Sequence, residues 1–362
     1  MPSKTGHGAC ADCQAAEGSL DVRKRPLCPP CFIRYVNSKI LKRMESYRLK
    51  NSSGDQKRRL LLPLSGGISS LVLLNALDAQ LQKQLTNRKK TVYDLVIAHV
   101  VVSPEPTDAQ IRNWYDKVAT RFSTHVFLPP CAFHDAFRLD ESLTNDLQHL
   151  GLARHEAEAH ADFSDRVLLS ARSPTTRADL QRIILRRLLA AMAKRSQCES
   201  ILWGHSDSQM AAQTLADVAK GRGGSVPFTI SDGPSPSGLN FNHPVRDLFK
   251  SELELYADVL PEPLSPLALE DGSPQQVPRV IRNMSIDDLL RHYIDTQAAK
   301  YPSVMANVVR TASKLENSST PAQSPHCAIC LIPQPRHLSG AGSPVSSLCY
   351  GCARMKEDIQ GE

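Results

Sequence analysis

The stretch Leu60-Leu61-Leu62-Pro63-Leu64-Ser65-Gly66-Gly67-Ile68-Ser69-Ser70-Leu71 admits few folds. A short apolar run enters a Ser-Gly-Gly turn and leaves as a second apolar run. In that second run Leu74, Leu77, Leu81 and Leu85 recur at helical spacing. A strand that turns through glycines onto a helix leaves backbone N–H groups without partners at the positive end of the helix dipole. Such an end is a cradle for phosphate or pyrophosphate. Gly66 and Gly67 permit positive φ and close approach of an anion, while Ser65, Ser69 and Ser70 supply hydroxyls. The turn alone equally describes a helix cap after a buried strand, and no G-x-x-x-x-G-K-S/T sequence marks a Walker loop.

The residues that follow alternate between strand and helix patterns. Residues 92–102 are β-branched and apolar enough for a buried parallel strand. Residues 107–122 read as a helix capped by Thr107 or Asp108, and 124–128 as a further strand. A long helix over 178–195 carries the apolar stripe Leu180, Ile184, Leu188 and Ala191. Residues 200–203 form the next strand, which runs into Gly204-His205-Ser206-Asp207 and a helix to Lys220. This order predicts an α/β fold, a doubly wound parallel sheet with ligands at the carboxyl ends of its strands. Ser65 and His205 both fall at such ends. Gly221-Arg222-Gly223-Gly224 is a basic glycine loop suited to an anion. His134, His149, His155 and His160 lie scattered among acids and read as surface residues, not ligands.

Eight of the ten cysteines form C-x-x-C pairs near the two ends: Cys10/Cys13 with Cys28/Cys31, and Cys327/Cys330 with Cys349/Cys352. Four thiolates at this spacing suit structural zinc, with a four-thiolate iron–sulfur cluster as the alternative. All four positions being filled by protein, each site would be closed. Self-closure of each end is favoured over sharing between ends, because it orders a short loop instead of the whole chain. The resulting organisation is a zinc module and basic helix over 1–50, an α/β domain over 56–260, a linker and helical pair over 261–316, and a second zinc module over 325–355.

No apolar run reaches membrane-spanning length, and residues 1–14 lack a secretory leader's apolar segment. The expected compartment is the cytoplasm, with reduced thiols and no membrane partner. The net charge of +6 is concentrated: residues 21–59 hold twelve Lys or Arg against three acids. That density points to a polyanion, with nucleic acid the first candidate and a solvated helix face the plain alternative. Arg34, Lys39, Lys42 and Arg43, with Arg182 and Arg186 on the 178–195 helix, are the candidate contacts.

The Ser65 turn resembles the S-G-G-x-D-S loop of ATP pyrophosphatases, the PP-loop, with Ser69 in the acidic position. Taken in order, an N-terminal four-cysteine module, Ser65-Gly66-Gly67, Gly204-His205-Ser206, Gly221-Arg222-Gly223, Pro244-Val245-Arg246 with Glu252, Tyr301-Pro302, Lys314-Leu315 and a second four-cysteine module resemble the cytosolic tRNA 2-thiolation family of PP-loop proteins. The resemblance covers nearly the whole chain. It implies a PP-loop, adenine nucleotide alpha hydrolase-like fold, with Ser65, Gly66, Gly67, Ser69, Ser70, His205 and Arg222 at a nucleotide site. It implies a complex that replaces the 2-oxygen of the wobble uridine in tRNAs for Lys, Glu and Gln. ATP activates that oxygen, and a ubiquitin-related modifier delivers sulfur as a thiocarboxylate.

Catalytic members of that family carry the loop acid and a C-x-x-C after the third strand. Here Ser69 replaces the acid, Cys131 stands alone, and 173–177 contain no cysteine. The resemblance therefore implies the divergent branch, which pairs with a catalytic paralogue and holds ATP and magnesium weakly or through that partner. A carboxylate cannot be replaced by a hydroxyl as a charged metal ligand. Two other readings stay open: a self-sufficient adenylating thiolase using the Ser65 turn, His205 and Arg222, and a zinc-dependent interaction scaffold.

Overall fold

The computed structural model describes residues 8–49, 57–102, 107–269, 283–298, 300–315, 325–334 and 347–359. The first described segment holds a hairpin, β1 (Leu20–Val22) and β2 (Arg25–Leu27), and helix α1 (Pro29–Arg43). Arg23 and Lys24 make its two-residue turn at φ of 52° and 66°, the backbone twist that a tight hairpin requires. Cys31, Phe32, Val36 and Ile40 form the buried stripe of α1. Met44 and Tyr47 continue it, so the basic helix read over 33–49 is present in two pieces, the second being Glu45–Leu49.

The central domain runs β3 (Arg58–Pro63), α2 (Ile68–Arg88), β4 (Tyr93–Ala98), α3 (Asp108–Arg121), β5 (Val126–Phe127), α4 (Pro174–Arg195), β6 (Ser200–Leu202), α5 (Asp207–Ala219), β7 (Gly233–Pro234) and β8 (Asn240–Asn242). The sheet order is β5-β4-β3-β6-β8-β7. All neighbours are parallel except β7 and β8. Successive side chains of one strand enter opposite layers. Leu60, Leu62 and Leu64 pack with α1, α2 and α6 (Lys250–Val259), whereas Leu61, Val96 and Ile201 pack with α4. The sheet is thus covered on both faces, as a doubly wound fold requires. Strand order reverses between β3 and β6, and the crevice at that point belongs to the Ser65 turn and Gly204.

Two boundaries differ from the sequence reading. The strand expected over 92–102 leaves the main sheet at His99, whose Nδ1 lies 2.7 Å from the Leu64 carbonyl oxygen. Val100–Val101 then pairs with Cys131–Ala132 in a separate two-stranded sheet. Helix α4 begins before residue 178, because Ser173 caps it and Pro174 pre-sets its first turn. Thr107 caps α3 as expected, in a reciprocal box with Gln110.

The helical pair, α7 (Ile286–Ala298) and α8 (Pro302–Ala312), packs Ile294, Met305 and Val309 against Met210 and Ala211 of α5. The C-terminal helix α9 (Tyr350–Asp358) docks beside α4, where Ser173 Oγ donates to Asp358 Oδ2 at 2.7 Å.

These late elements share one buried carboxylate. Asp179 of α4, with no exposed side-chain surface, accepts from Lys220 Nζ at 2.7 Å and Arg222 Nε at 3.0 Å. Arg182 and Arg354 each approach it to 3.2 Å. Burial opposes its ionisation, but Arg222, Lys220 and Arg182 outweigh burial and hold it below the usual carboxylate range. Breaking a buried pair costs more than the pair contributes, because an uncompensated charge remains. Asp179→Asn is expected to lower unfolding free energy by about 3–5 kcal/mol. A urea midpoint within error of wild type would contradict this.

Candidate functional site

Gly66 turns the chain from β3 into α2 at φ 90°, a left-handed conformation that favours glycine. Gly67 is the N-cap of α2 and no side chain caps it; Ser70 N–H turns back to the Gly67 carbonyl at 3.1 Å, and the Ile68 and Ser69 amides are the open donors of the first turn. The serine hydroxyls serve the turn itself. Ser65 Oγ accepts from Gly67 N–H at 3.3 Å, and Ser70 Oγ donates to the Gly67 carbonyl at 2.8 Å. Gly204 closes the crevice from the β6 side: a Cβ there would sit 2.9 Å from Ser70 Cα. The structure therefore brings the Ser65 turn and the Gly204-His205 corner together.

The crevice has an occupant from its own chain. Leu269 N–H donates to the Gly66 carbonyl at 3.0 Å. The Leu269 side chain lies 2.6 Å from where a Gly66 Cβ would be. Its segment is anchored on α3, through Trp114 Nε1 to the Leu267 carbonyl at 2.6 Å and Arg121 to the Pro263 carbonyl at 3.0 Å. No sequence pattern marked Leu269, since its partner lies some two hundred residues away.

His205 stacks on Trp203, with centroids 5.4 Å apart and planes at 20°. Burial, aided by His243 and Arg186, pulls it down to about 3, so the ring is neutral at physiological pH. It can stack or donate one N–H, but it supplies no charge to a phosphate. Arg222 turns inward, not onto an open glycine loop. Its guanidinium meets Asp179, and Nη1 lies 3.5 Å from Cys352 Sγ. The Asp179 pair fixes that side chain against the C-terminal cysteines, away from a role as a free anion contact.

Two buried groups at the crevice escaped the sequence reading. His99 packs edge-on to Trp114, and its Nε2 has no partner among the described residues. Asp207, at the first turn of α5, accepts from Ser208 N–H at 2.6 Å through Oδ1, while Oδ2 has no partner among the described residues. Burial pushes Asp207 up to about 7, and the Glu252 charge adds to that.

Each cysteine group closes on itself. In both, the four sulfurs lie within 4.8 Å of one another. Cys13 and Cys28 sulfurs are 3.8 Å apart, and Cys330 and Cys349 sulfurs 3.7 Å. A tetrahedron with ~2.3 Å zinc–sulfur bonds has edges of about 3.8 Å, so both groups fit a metal ion. Backbone N–H groups, that of Cys13 first, pull the Cys10 thiol down to about 6. Hydrogen bonds from Cys330 and the other sulfurs hold Cys327 low.

The candidate polyanion contacts divide. Arg43 is bidentate to Asp247 at 2.7 and 3.0 Å, and Arg182 reaches Asp217 at 2.6 Å. Both charges are paired within the chain, that of Arg182 with a buried carboxylate and that of Arg43 at a half-exposed site. Arg34 and Lys42 are exposed, and Lys39 lies over the Tyr35 ring. Arg186 lines a cleft on the α4 face.

A glycine turn at the switch point of a doubly wound sheet, between β3 and β6, defines a PP-loop-type α/β protein. The solved U34-tRNA thiolase NcsA from Methanococcus maripaludis, with its 4Fe-4S cluster, has the same fold, at TM-score 0.61 and 16% identity over 89% of this chain and 95% of that one. A family model described as cytoplasmic tRNA 2-thiolation protein 2 matches residues 285–339. Curated proteins of that name are similar over their full length. The one from Aspergillus clavatus is 38% identical over 99% of this chain and 100% of its own. The one from Coccidioides immitis is 40% identical over 97% and 98%. The chain belongs to the cytoplasmic tRNA 2-thiolation protein 2 family. No helix among the described residues is long and apolar enough to cross a membrane.

Asp207 makes stability depend on pH. Its folded pKa of about 7 exceeds the unfolded value of 3.8, so the folded state binds the extra proton between them. Stability from this group is complete below about 4 and is lost as pH rises through about 7. Asp207→Asn should therefore be more stable than wild type at pH 8, by on the order of 2–4 kcal/mol relative to the difference at pH 4. Urea midpoints that run parallel across this range would show that Asp207 is not raised.

Proposed function

We propose that this chain is the non-catalytic, tRNA-binding subunit of a cytoplasmic tRNA 2-thiolation complex. Its partner is a catalytic PP-loop paralogue that adenylates the 2-oxygen of the wobble uridine in tRNAs for Lys, Glu and Gln. Sulfur then arrives from a thiocarboxylated ubiquitin-related modifier. The observation that carries the non-catalytic reading is Leu269 seated against Gly66. An apolar side chain there contributes no charge to ATP, and Ser69 offers no carboxylate to magnesium. Nor does a thiol stand at the start of α4. Ser173 caps that helix and ties it to Asp358. ATP and magnesium are accordingly assigned to the partner.

The residues left for RNA are Arg34, Lys39 and Lys42 along α1; Arg34 is exposed, with Asp12 3.8 Å away, and no ion pair holds Lys39 or Lys42 among the described residues. Both cysteine groups are assigned structural zinc, which supplies no chemistry beyond holding each module in shape. The N-terminal group fixes the start of α1, since Cys28 is its N-cap and Cys31 lies in its first turn. Metal at that end thus positions the basic face.

Purified alone, the chain should give no tRNA-dependent AMP formation. Co-expressed with the paralogue it should be required for 2-thiouridine. Robust turnover by the chain alone would instead support the self-sufficient thiolase. Lys39→Glu with Lys42→Glu should weaken tRNA binding and shrink the slope of log affinity against log salt by about 2. Metal analysis should find about two zinc ions per chain. Iron with visible absorbance would assign a cluster instead.

A further inference from the structure

The α4 face carries a cleft of about 370 Å³, lined by the basic Arg186, Lys194 and Arg195, by the apolar Phe228, Phe241 and Leu331, and by Glu141 and Cys330. None of the Ser65 turn lines it. The same wall shows how the chain treats its other inward guanidiniums. Arg182 has Asp179 and Asp217, Arg187 has Asp140 and Asp146, and Arg222 has Asp179. Arg186 has no carboxylate among the described residues. Its recorded contacts are the Thr229 carbonyl at 3.5 Å and the Trp203 ring at 5.8 Å. A half-buried cation with up to five donors and one long hydrogen bond is a site short of an anion. Burial, then the Arg182 charge, pull it down to about 10, against the opposite pull of Asp217 and the Cys330 sulfur, neither of which is within ion-pair distance.

The shape of the cleft narrows the class of anion. Phe228 is half-buried, and the wall it shares with Phe241 and Leu331 offers apolar surface a bare phosphate would not use. An aromatic base joined to a phosphate uses both the apolar and the basic lining. Lys194 and Arg195 are exposed and lie about 12 Å further along α4, room for a neighbouring phosphate. We infer that this cleft binds one nucleotide, with its base against Phe228 and its phosphate on Arg186, free or displayed by a single RNA strand. Only the RNA source rests on the tRNA-binding reading above. The cleft itself does not.

The test uses the full chain with UMP and with a uridine pentanucleotide, avoiding adenine so that the Ser65 turn is not probed. Calorimetric titration should detect both ligands. Arg186→Ala should weaken each by about tenfold or more. It deprives no acid of a partner, so melting temperature and metal content should stay at wild-type values. Lys194→Glu with Arg195→Glu, on the exposed end, should weaken the pentanucleotide while leaving UMP within about twofold. UMP binding alone would assign a free nucleotide, and a pentanucleotide preferred over UMP would assign RNA. The inference is overturned if neither ligand binds wild type at about 1 mM, or if Arg186→Ala binds both as tightly. Intact tRNA binding by that variant would leave the RNA reading standing while the cleft falls. UMP binding without tRNA binding would do the reverse.

Discussion

Asp179 is the constraint on which the second half of the molecule depends. It sits on α4 with no solvent contact, yet four basic side chains, one from α4 and three from two other places, converge on it. Lys220 and Arg222 end α5, Arg354 belongs to the C-terminal helix, and Arg182 lies one turn along α4. Lys220 also reaches Asp287 at 2.6 Å, which draws in the helical pair. A charge network of this kind contributes little net stability over an apolar core of equal volume, but it tolerates few alternative arrangements. The C-terminal cysteine group is therefore attached to the α/β domain by directional contacts. Arg222 is the link, with one edge on Asp179 and another on Cys352.

The N-terminal module is attached by the same device at a different place. Arg23, at the positive-φ turn of its hairpin, is bidentate to Glu252 at 2.8 and 2.7 Å and lies 4.0 Å over the Phe249 ring. Arg43 repeats the arrangement on Asp247. Planar guanidiniums suit such joints because their fork matches a carboxylate. Part of the basic character of the chain is thereby internal, whereas Arg34 and Lys42 on α1 and Lys194 and Arg195 at the end of α4 are exposed.

This explains which parts were legible in sequence. The doubly wound sheet, the Thr107 cap and the two cysteine groups rest on local spacing, and local spacing survives folding. Periodicity also located α4, missing only its first turn, where Ser173-Pro174 outweighs the weak apolar pattern. Charge did not transfer so well. Arg43, Arg182 and Arg222 look like Lys42 or Lys194 in a sequence, since nothing local says whether a carboxylate waits across the fold. His99, Asp207 and Leu269 were invisible for the same reason. Each matters through a partner set by topology, not by its neighbours in the chain.

Such long-range partners also bear on a loop that keeps the glycines of a phosphate cradle with a serine in its acidic position. Gly66 must remain glycine because its φ of 90° and the Leu269 side chain leave no room for a Cβ. Gly204 must remain glycine because Ser70 Cα presses against it. Neither demand involves a nucleotide. Gly67 is under no such demand: its φ is −74° and a Cβ there would meet only Ser65 Oγ at 3.6 Å. Steric need thus accounts for one glycine of the pair and for Gly204, so glycines at these two positions do not by themselves report a bound phosphate.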